Sequence, residues 1–340
     1  MIPMYGLKLA VITFLTACSL SLAAQSVTDL KGAGATFPYP IYAKWFANYS
    51  RQVPGVQITY AAIGSEAGVR RLLDGSLDFG ASDNPEILHE LAPDHEGKYL
   101  FFPSVIGAVV PVVNIPGFAS DIAFTPESLA DIYLGKIKKW NHPLLKKANP
   151  RLRLPDLDII VVHRADGSGT SYTWAHYLSE TSPAWKAELG SGLPPKWPVG
   201  RAAAGNDGIA KLVKELGGSI GYVEFIYALQ NHLSFGSVRN QKGRFVTADL
   251  DSIAAAATDS LGSDFKGSIV NASAADAYPI ASFSWFVIPA HIVSPNKREA
   301  VVGFLKWMLG PGQRQAAALG YVALPGSVVS REAAAIAKIN

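Results

Sequence analysis

The sequence predicts an α/β fold. Short apolar, β-branched runs recur along its 340 residues, among them Ile106 to Val113, Ile159 to Val162, Ile220 to Val223 and Ser282 to Ile288. Helical patterns separate them, and glycine- and serine-rich turns stand at the junctions, the arrangement that builds α/β layers. With 49% hydrophobic and 17% charged residues the chain has ample core, enough for two domains. A net charge of +3, with no basic block longer than the short Lys136 to Lys139 cluster, gives no footprint for nucleic acid.

The N-terminus stands apart. In residues 1–24 Lys8 is the only charged side chain, and Leu9 to Ala24 is apolar or small, which predicts an export signal too short to be a membrane span. No later run is long enough to span a bilayer, so the mature chain is expected to be exported and soluble. Leu15-Thr16-Ala17-Cys18 resembles a bacterial lipobox, but the apolar stretch continues through Ser21-Leu22-Ala23-Ala24, which favours ordinary cleavage there over a lipid anchor at Cys18. Cys18 is the sole cysteine, so no disulfide is expected in the mature chain.

In chain order, Lys31 to Pro40 reads as a glycine-rich loop feeding a helix over Ile41 to Arg51, with Pro38 and Pro40 at its first turn. A dinucleotide fingerprint is disfavoured there, because Phe37 takes the place of the third glycine and no long strand is expected before it. Gln57 to Ala61 alternates as a strand, Ile63 to Gly68 turns into a helix over Val69 to Leu73, and Leu77 to Asp83 is a short strand ending in Ser-Asp. Thr125 and Pro126 mark a capped helix start, followed by lysines at 136, 138 and 139 on a solvated face.

Tyr172 to Leu178 continues as a helix, and Pro183 to Pro198 reads as an irregular surface excursion. Gly205-Asn206-Asp207-Gly208 caps a helix over Ile209 to Leu216. Ala254 to Ala257 reads as helical, Glu299 to Met308 as an amphipathic helix turning Val302, Phe304, Leu305 and Met308 inward, and Gln313 to Leu319 as a further helix.

The chemistry concentrates at Arg164-Ala165-Asp166-Gly167-Ser168-Gly169-Thr170-Ser171, between a strand and a helix. The first N–H groups of a helix lack intrahelical partners and favour an anion. Gly167 and Gly169 allow close backbone approach, the hydroxyls of Ser168, Thr170 and Ser171 can donate, and Arg164 supplies a fixed cationic fork. Taken alone, Gly-Ser-Gly-Thr is also a plain helix cap. Two upstream loops of the same type, at Thr36 and Ser65, supply the other half of an anion cradle.

Rival chemistries fit less well. Ser168 as a hydrolytic nucleophile lacks the glycine two positions earlier that an elbow requires, since Asp166 stands there. The seven histidines show no metal-ligand spacing, and the glycine-rich turn lacks the lysine of a P-loop.

A set of motifs, in order, then matches a known family. They are Gly-Ala-Gly-Ala-Thr-Phe-Pro at 32–38, Asp-Phe-Gly-Ala-Ser-Asp at 78–83, Ile-Tyr-Leu-Gly-Lys-Ile at 132–137 and Arg-Ala-Asp-Gly-Ser-Gly-Thr-Ser at 164–171. Gly-Asn-Asp-Gly at 205–208, Gly-Tyr-Val-Glu at 221–224 and Leu-Gly-Tyr-Val at 319–322 complete it. In these the chain resembles the periplasmic phosphate-binding proteins of Pst-type phosphate ABC importers.

The resemblance implies a two-lobed type II periplasmic binding protein fold, two α/β lobes joined by two crossover strands with the ligand in the cleft. Lobe I would comprise residues 28–106 and 281–340, and lobe II residues 107–280. It implies no enzymatic activity and no cofactor. Inorganic phosphate would be the ligand, with two transmembrane permease subunits and two ATP-binding subunits as partners of a binding protein that is monomeric when free. Binders of sulfate, molybdate or tungstate are the nearest alternative.

Carried onto this sequence, the resemblance makes Thr36, Phe37, Ser65, Asp83, Arg164, Ser168, Gly169 and Thr170 the phosphate-binding residues, with Asp166 orienting Arg164. Asp83 would be the one acceptor, taking the proton that phosphate keeps near neutral pH and fully ionised sulfate lacks. A site built around such a hydrogen bond rejects the analogue without it by roughly 10⁴ to 10⁵. One departure stands out: Ser65-Glu66-Ala67-Gly68 occurs where family members commonly carry Ser-Ser-Gly-Gly. Glu66 is expected to face solvent or to pair with Arg70, four residues on.

Overall fold

A computed structural model describes residues 27–118, 121–192, 196–257 and 261–340. The export signal and Cys18 lie outside the described residues. Among the described residues no helix is long and apolar enough to cross a membrane.

Two α/β lobes share one long strand. The chain enters through β1 (Thr28–Gly34), α1 (Tyr39–Gln52), β2 (Val56–Ala62), α2 (Ser65–Leu73), β3 (Phe79–Ser82) and α3 (Ile87–Leu91) before β4 (Tyr99–Asn114). Then come β5 (Ala123–Phe124), α4 (Pro126–Tyr133), α5 (Pro143–Ala148), β6 (Ile160–Arg164), α6 (Gly169–Thr181), α7 (Pro183–Glu188), β7 (Arg201–Ala203), α8 (Gly205–Glu215), β8 (Ser219–Glu224) and α9 (Phe225–Gln230). The second half closes with β9 (Ser234–Phe235), β10 (Ser237–Arg239), β11 (Phe245–Val246) and α10 (Leu250–Ala256). The chain returns through β12 (Ala281–Pro289), α11 (Pro295–Trp307) and α12 (Gly326–Ala335).

The main sheet runs β2-β1-β3-β12-β4-β8-β6-β7, with β9 also on β4. β1 is parallel to β2 and β3, and β6 is parallel to β7 and β8, while β12 and β4 run antiparallel between the two sets. Along β4, Tyr99 to Ala108 pair with β12 and Val109 to Asn114 pair with β8, so this strand passes from one lobe to the other. The returning chain crosses beside it: the Val109 N–H donates to the Ile280 carbonyl at 2.9 Å, and the Tyr278 hydroxyl to the Val109 carbonyl at 3.0 Å. Burial on both faces explains why β4 reads as a continuous apolar run.

Each lobe buries its own aromatic cluster. In lobe I, Tyr42 and Phe46 of α1 meet Phe79, Phe286 and Phe304, and the Tyr42 and Phe286 rings stack at 4.4 Å. In lobe II, Tyr133, Trp174, Trp197 and Tyr222 pack together. At α4 the expected cap is realised in full, with Thr125 and Ser128 hydrogen-bonding each other's backbone N–H.

Several elements differ from the sequence expectation. Lys31 to Gly34 is the end of β1 rather than a loop, so a strand does precede the Thr36 turn. Its Lys, Gly and Ala content hides it, but a side chain at Gly32 would overlap the Phe79 ring, and one at Gly68 would strike the Gly34 backbone at 2.2 Å. Pairing with β2 and β3, with α2 packed directly onto its end, holds the strand. Pro183 to Pro198 is likewise not a plain excursion: Pro183 starts α7, and Trp185 is fully buried with its indole N–H on the Gly190 carbonyl. Helices α2, α6 and α8 begin earlier than the periodicity indicates, because small polar residues occupy their first turns. In α11 the inward residues include Val301 rather than Val302, which is only partly buried. Gln313 to Leu319 forms two short 3-10 turns, preceded by a π-turn carrying Pro311.

Lys136 and Lys139 are exposed and pair with Glu188 and Asp156, in keeping with a solvated face.

Candidate functional site

The loops that follow the carboxyl ends of the parallel strands converge on one cleft. β1 delivers Thr36 and Phe37, β2 delivers Ser65, β3 delivers Asp83, β6 ends in Arg164 and leads to Ser168–Thr170, and β7 leads to Asn206. This is where an open α/β sheet places its ligands. All eight residues expected from the sequence to line the site are buried there, with Thr36 the most exposed at 7%.

Arg164 is held from behind. Its Nε donates to Asp166 Oδ1 at 2.8 Å and one Nη donates to Oδ2, a bidentate grip, while Nη1 has no partner. The Asp166 carboxyl sits below its ordinary pKa: burial works to raise it, but the Arg164 fork and the Gly205 N–H prevail. A buried cation with one free N–H pair therefore faces the cleft. The Tyr222 hydroxyl accepts the Arg164 N–H at 3.2 Å and lies 2.6 Å from Ser171 Oγ, which ties the end of β6 to α6.

Opposite in charge, Asp83 is 1% exposed. The Ser284 hydroxyl donates to its Oδ1 at 2.7 Å, and Oδ2 has no partner. Burial pushes its carboxyl up to about 7, against the opposing influence of Ser284 and the Arg164 charge.

The remaining groups bring the lobes together. Ser65 Oγ accepts the Gly169 N–H from the other lobe at 3.1 Å and the Asp83 N–H at 3.4 Å. The Glu66 N–H donates to the Gly167 carbonyl at 3.0 Å. The Tyr227 hydroxyl donates to the Thr36 carbonyl at 2.6 Å and the Tyr321 hydroxyl to the Phe37 carbonyl at 2.7 Å, fixing both peptide planes. Ser168 caps α6, accepting the Ser171 N–H at 3.1 Å, so the structural reading of that serine holds and its hydroxyl hydrogen stays available to the cleft. Gly64, at φ +95°, carries the chain past Asp166, where a Cβ would lie 2.6 Å from Oδ2.

The Glu66 expectation is met: its carboxylate pairs with Arg70 at 2.8 Å. Sequence reasoning missed Ser284, Tyr227 and the bonding of Asn206. Ser284 could have been found as a polar residue inside the apolar run of β12.

Among the described residues Ser168 meets no histidine base. Ser168 Oγ is engaged by the Ser171 N–H, while the His163 ring stacks on Trp197 and its Nδ1 lies 3.1 Å from the Arg164 carbonyl. Among the described residues no group of three or more His, Cys, Asp or Glu side chains could hold a metal ion. What the arrangement can do is bind: backbone N–H groups, hydroxyls and one guanidinium surround an anion, and one buried carboxyl can accept a proton from it.

Comparison with known proteins agrees with this geometry. Residues 21–311 match the PBP superfamily domain. The chain is 42% identical over 317 residues to the phosphate-binding protein PstS of Pasteurella multocida, covering 92% of this chain and 90% of that one. It is 34% identical over 328 residues to the phosphate-binding protein PstS of Methanocaldococcus jannaschii, covering 89% and 84%. In fold it is similar to the phosphate-binding protein of Stenotrophomonas maltophilia, with a TM-score of 0.65 at 21% identity over 91% of this chain and 94% of that one.

Proposed function

From the premise that this chain belongs to the PstS family of phosphate-binding proteins, we propose that it binds inorganic phosphate with high affinity in the periplasm and delivers it to a phosphate ABC importer. It does no chemistry on the ligand. One observation carries the reading: the cleft buries a guanidinium with a free N–H pair and a carboxyl with a free oxygen, Arg164 Nη1 and Asp83 Oδ2. A mono-protonated tetrahedral anion satisfies both, accepting from the first and donating to the second.

In this reading Thr36, Phe37, Ser65, Ser168 and Thr170 donate to phosphate, the Gly169 N–H turns to it from Ser65 Oγ, and Asp83 accepts from it. The lobes divide near residues 106/107 and 280/281 and close by the inter-lobe bonds already described. The first 24 residues are the export signal, cleaved conventionally rather than lipidated at Cys18. Two permease and two ATP-binding subunits receive the loaded monomer.

Calorimetric titration of the purified protein with orthophosphate and with sulfate tests this. Tight binding of phosphate with no heat from sulfate is expected, and Asp83→Asn should weaken phosphate and admit sulfate. Equal binding of both anions by the parent protein refutes the assignment.

A further inference from the structure

Asn206, near the start of α8, is fully buried between the lobes, and its bonding has a consequence for the anion. Its Nδ2 donates to Thr36 Oγ1 at 2.8 Å and to Thr170 Oγ1 at 3.2 Å, and its Oδ1 accepts the Glu224 N–H at 2.9 Å. The amide orientation is therefore fixed: a flipped amide would set Nδ2 against a backbone N–H, donor against donor. Both threonine hydroxyls must accept from Asn206, and each has one hydrogen left, which has to point elsewhere.

We propose that Asn206 is a positioning residue that sets the polarity of the site, turning the Thr36 and Thr170 hydroxyls into obligate donors toward the bound anion. A free hydroxyl donates or accepts with equal ease, and an accepting one repels an oxyanion. Asn206 removes that choice in advance at Thr170, on its own lobe, and at Thr36 as the cleft closes. The same amide joins lobe II to Thr36 of lobe I and so forms only when the cleft closes, which couples closure to donor orientation. The proposal rests on the phosphate-binding reading above.

The experiment is calorimetric titration of the full exported chain with orthophosphate at neutral pH. Asn206→Ala, which leaves both hydroxyls unconstrained, should weaken phosphate about tenfold. Asn206→Asp keeps the acceptor for the Glu224 N–H but offers the hydroxyls a second acceptor, and should cost about a hundredfold, the range of one charge-assisted hydrogen bond.

In a Thr36→Val/Thr170→Val background the Ala cost should shrink below about twofold and the Asp cost below about tenfold, the remainder being its added charge. A Thr36→Ser/Thr170→Ser background restores the hydroxyls and should restore both full costs. A purely structural role predicts the same factors in all three backgrounds, and that result overturns the proposal. Thermal midpoints of the ligand-free variants identify any that fail to fold, with the Ala and Asp series serving as independent arms. If the parent protein itself gives no heat with phosphate, the functional reading fails; if the parent binds and Asn206→Asp binds equally well, only the polarity assignment does.

Discussion

Asp83 and Ser284 meet across the sheet: the β12 hydroxyl donates to Asp83 Oδ1 at 2.7 Å and so leaves only Oδ2 for a ligand. One buried carboxyl with one engaged oxygen is a poor place for a second negative charge and a good place for a hydrogen-bond donor. The pairing also has a consequence for stability.

Burial raises the Asp83 carboxyl from 3.8 to about 7, with Ser284 and Arg164 opposing. A folded-state pKa above the unfolded one means that the folded protein holds more protons through that window. Its contribution to stability is fully present below about pH 4 and is lost as pH rises through about 7. Glu224 and Glu332 are also raised by burial, so the parent curve alone does not isolate Asp83. Subtracting the curve of Asp83→Asn does. Ligand-free denaturation midpoints measured from pH 4 to 8 should show the variant gaining on the parent across that window, and a flat difference would contradict the assignment.

Gly169 predicts a steric outcome. A Cβ there would lie 2.6 Å from Ser65 Oγ and 2.7 Å from both Asp83 Cβ and Oδ2, all across the cleft. Gly169→Ala should therefore leave the separate lobes folded but hold them apart, lowering phosphate affinity by about a hundredfold or more, as loss of a charge-assisted bond and its neighbours would. Small-angle scattering with saturating phosphate should report a more open molecule than the parent.

These tests rest on residues that were partly visible in the sequence. Thr36, Ser65, Asp83 and Ser168 to Thr170 are legible because each follows a strand in a short turn of small or polar residues, and Arg164 because it ends the strand that leads into such a turn. Asn206 was seen only as part of a helix start, since nothing local reveals that its amide reaches 170 residues back to Thr36. β1 was missed for a related reason: its residues are poor strand formers, and contacts with β2, Phe79 and α2 impose the strand from outside. Trp185 shows the converse, a proline- and tryptophan-rich stretch that looks irregular but begins with a surface turn of helix that buries the indole.

Glu66 stands where the resemblance leads one to expect a serine. Its carboxylate pairs with Arg70, its backbone N–H donates to the Gly167 carbonyl of the other lobe at 3.0 Å, and its side chain packs against Gly167, where a Cβ would lie 2.1 Å from Oε2. A partly exposed pair of this kind contributes at most about 0.3–0.5 kcal/mol. Glu66→Ser should therefore change phosphate affinity by less than about threefold in calorimetry. A gain of more than about tenfold would mean that the charge acts on the bound anion.

The last prediction lies away from the cleft. Glu332 of α12 is fully buried beside Val328 and Ala335 on the helix's inner face, and neither carboxyl oxygen has a hydrogen-bond partner. Burial holds its carboxyl well above the ordinary value, so it is the proton, not a partner, that makes the position tolerable. Glu332→Leu keeps the volume and removes the polar atoms, and should stabilise the ligand-free protein by about 1–3 kcal/mol. Because a raised carboxyl loses its contribution as pH climbs through its folded-state value, the advantage should be larger at pH 8 than at pH 5, while phosphate affinity stays that of the parent. Urea denaturation at the two pH values measures the difference, and a destabilised variant would show that the carboxyl is satisfied by a partner.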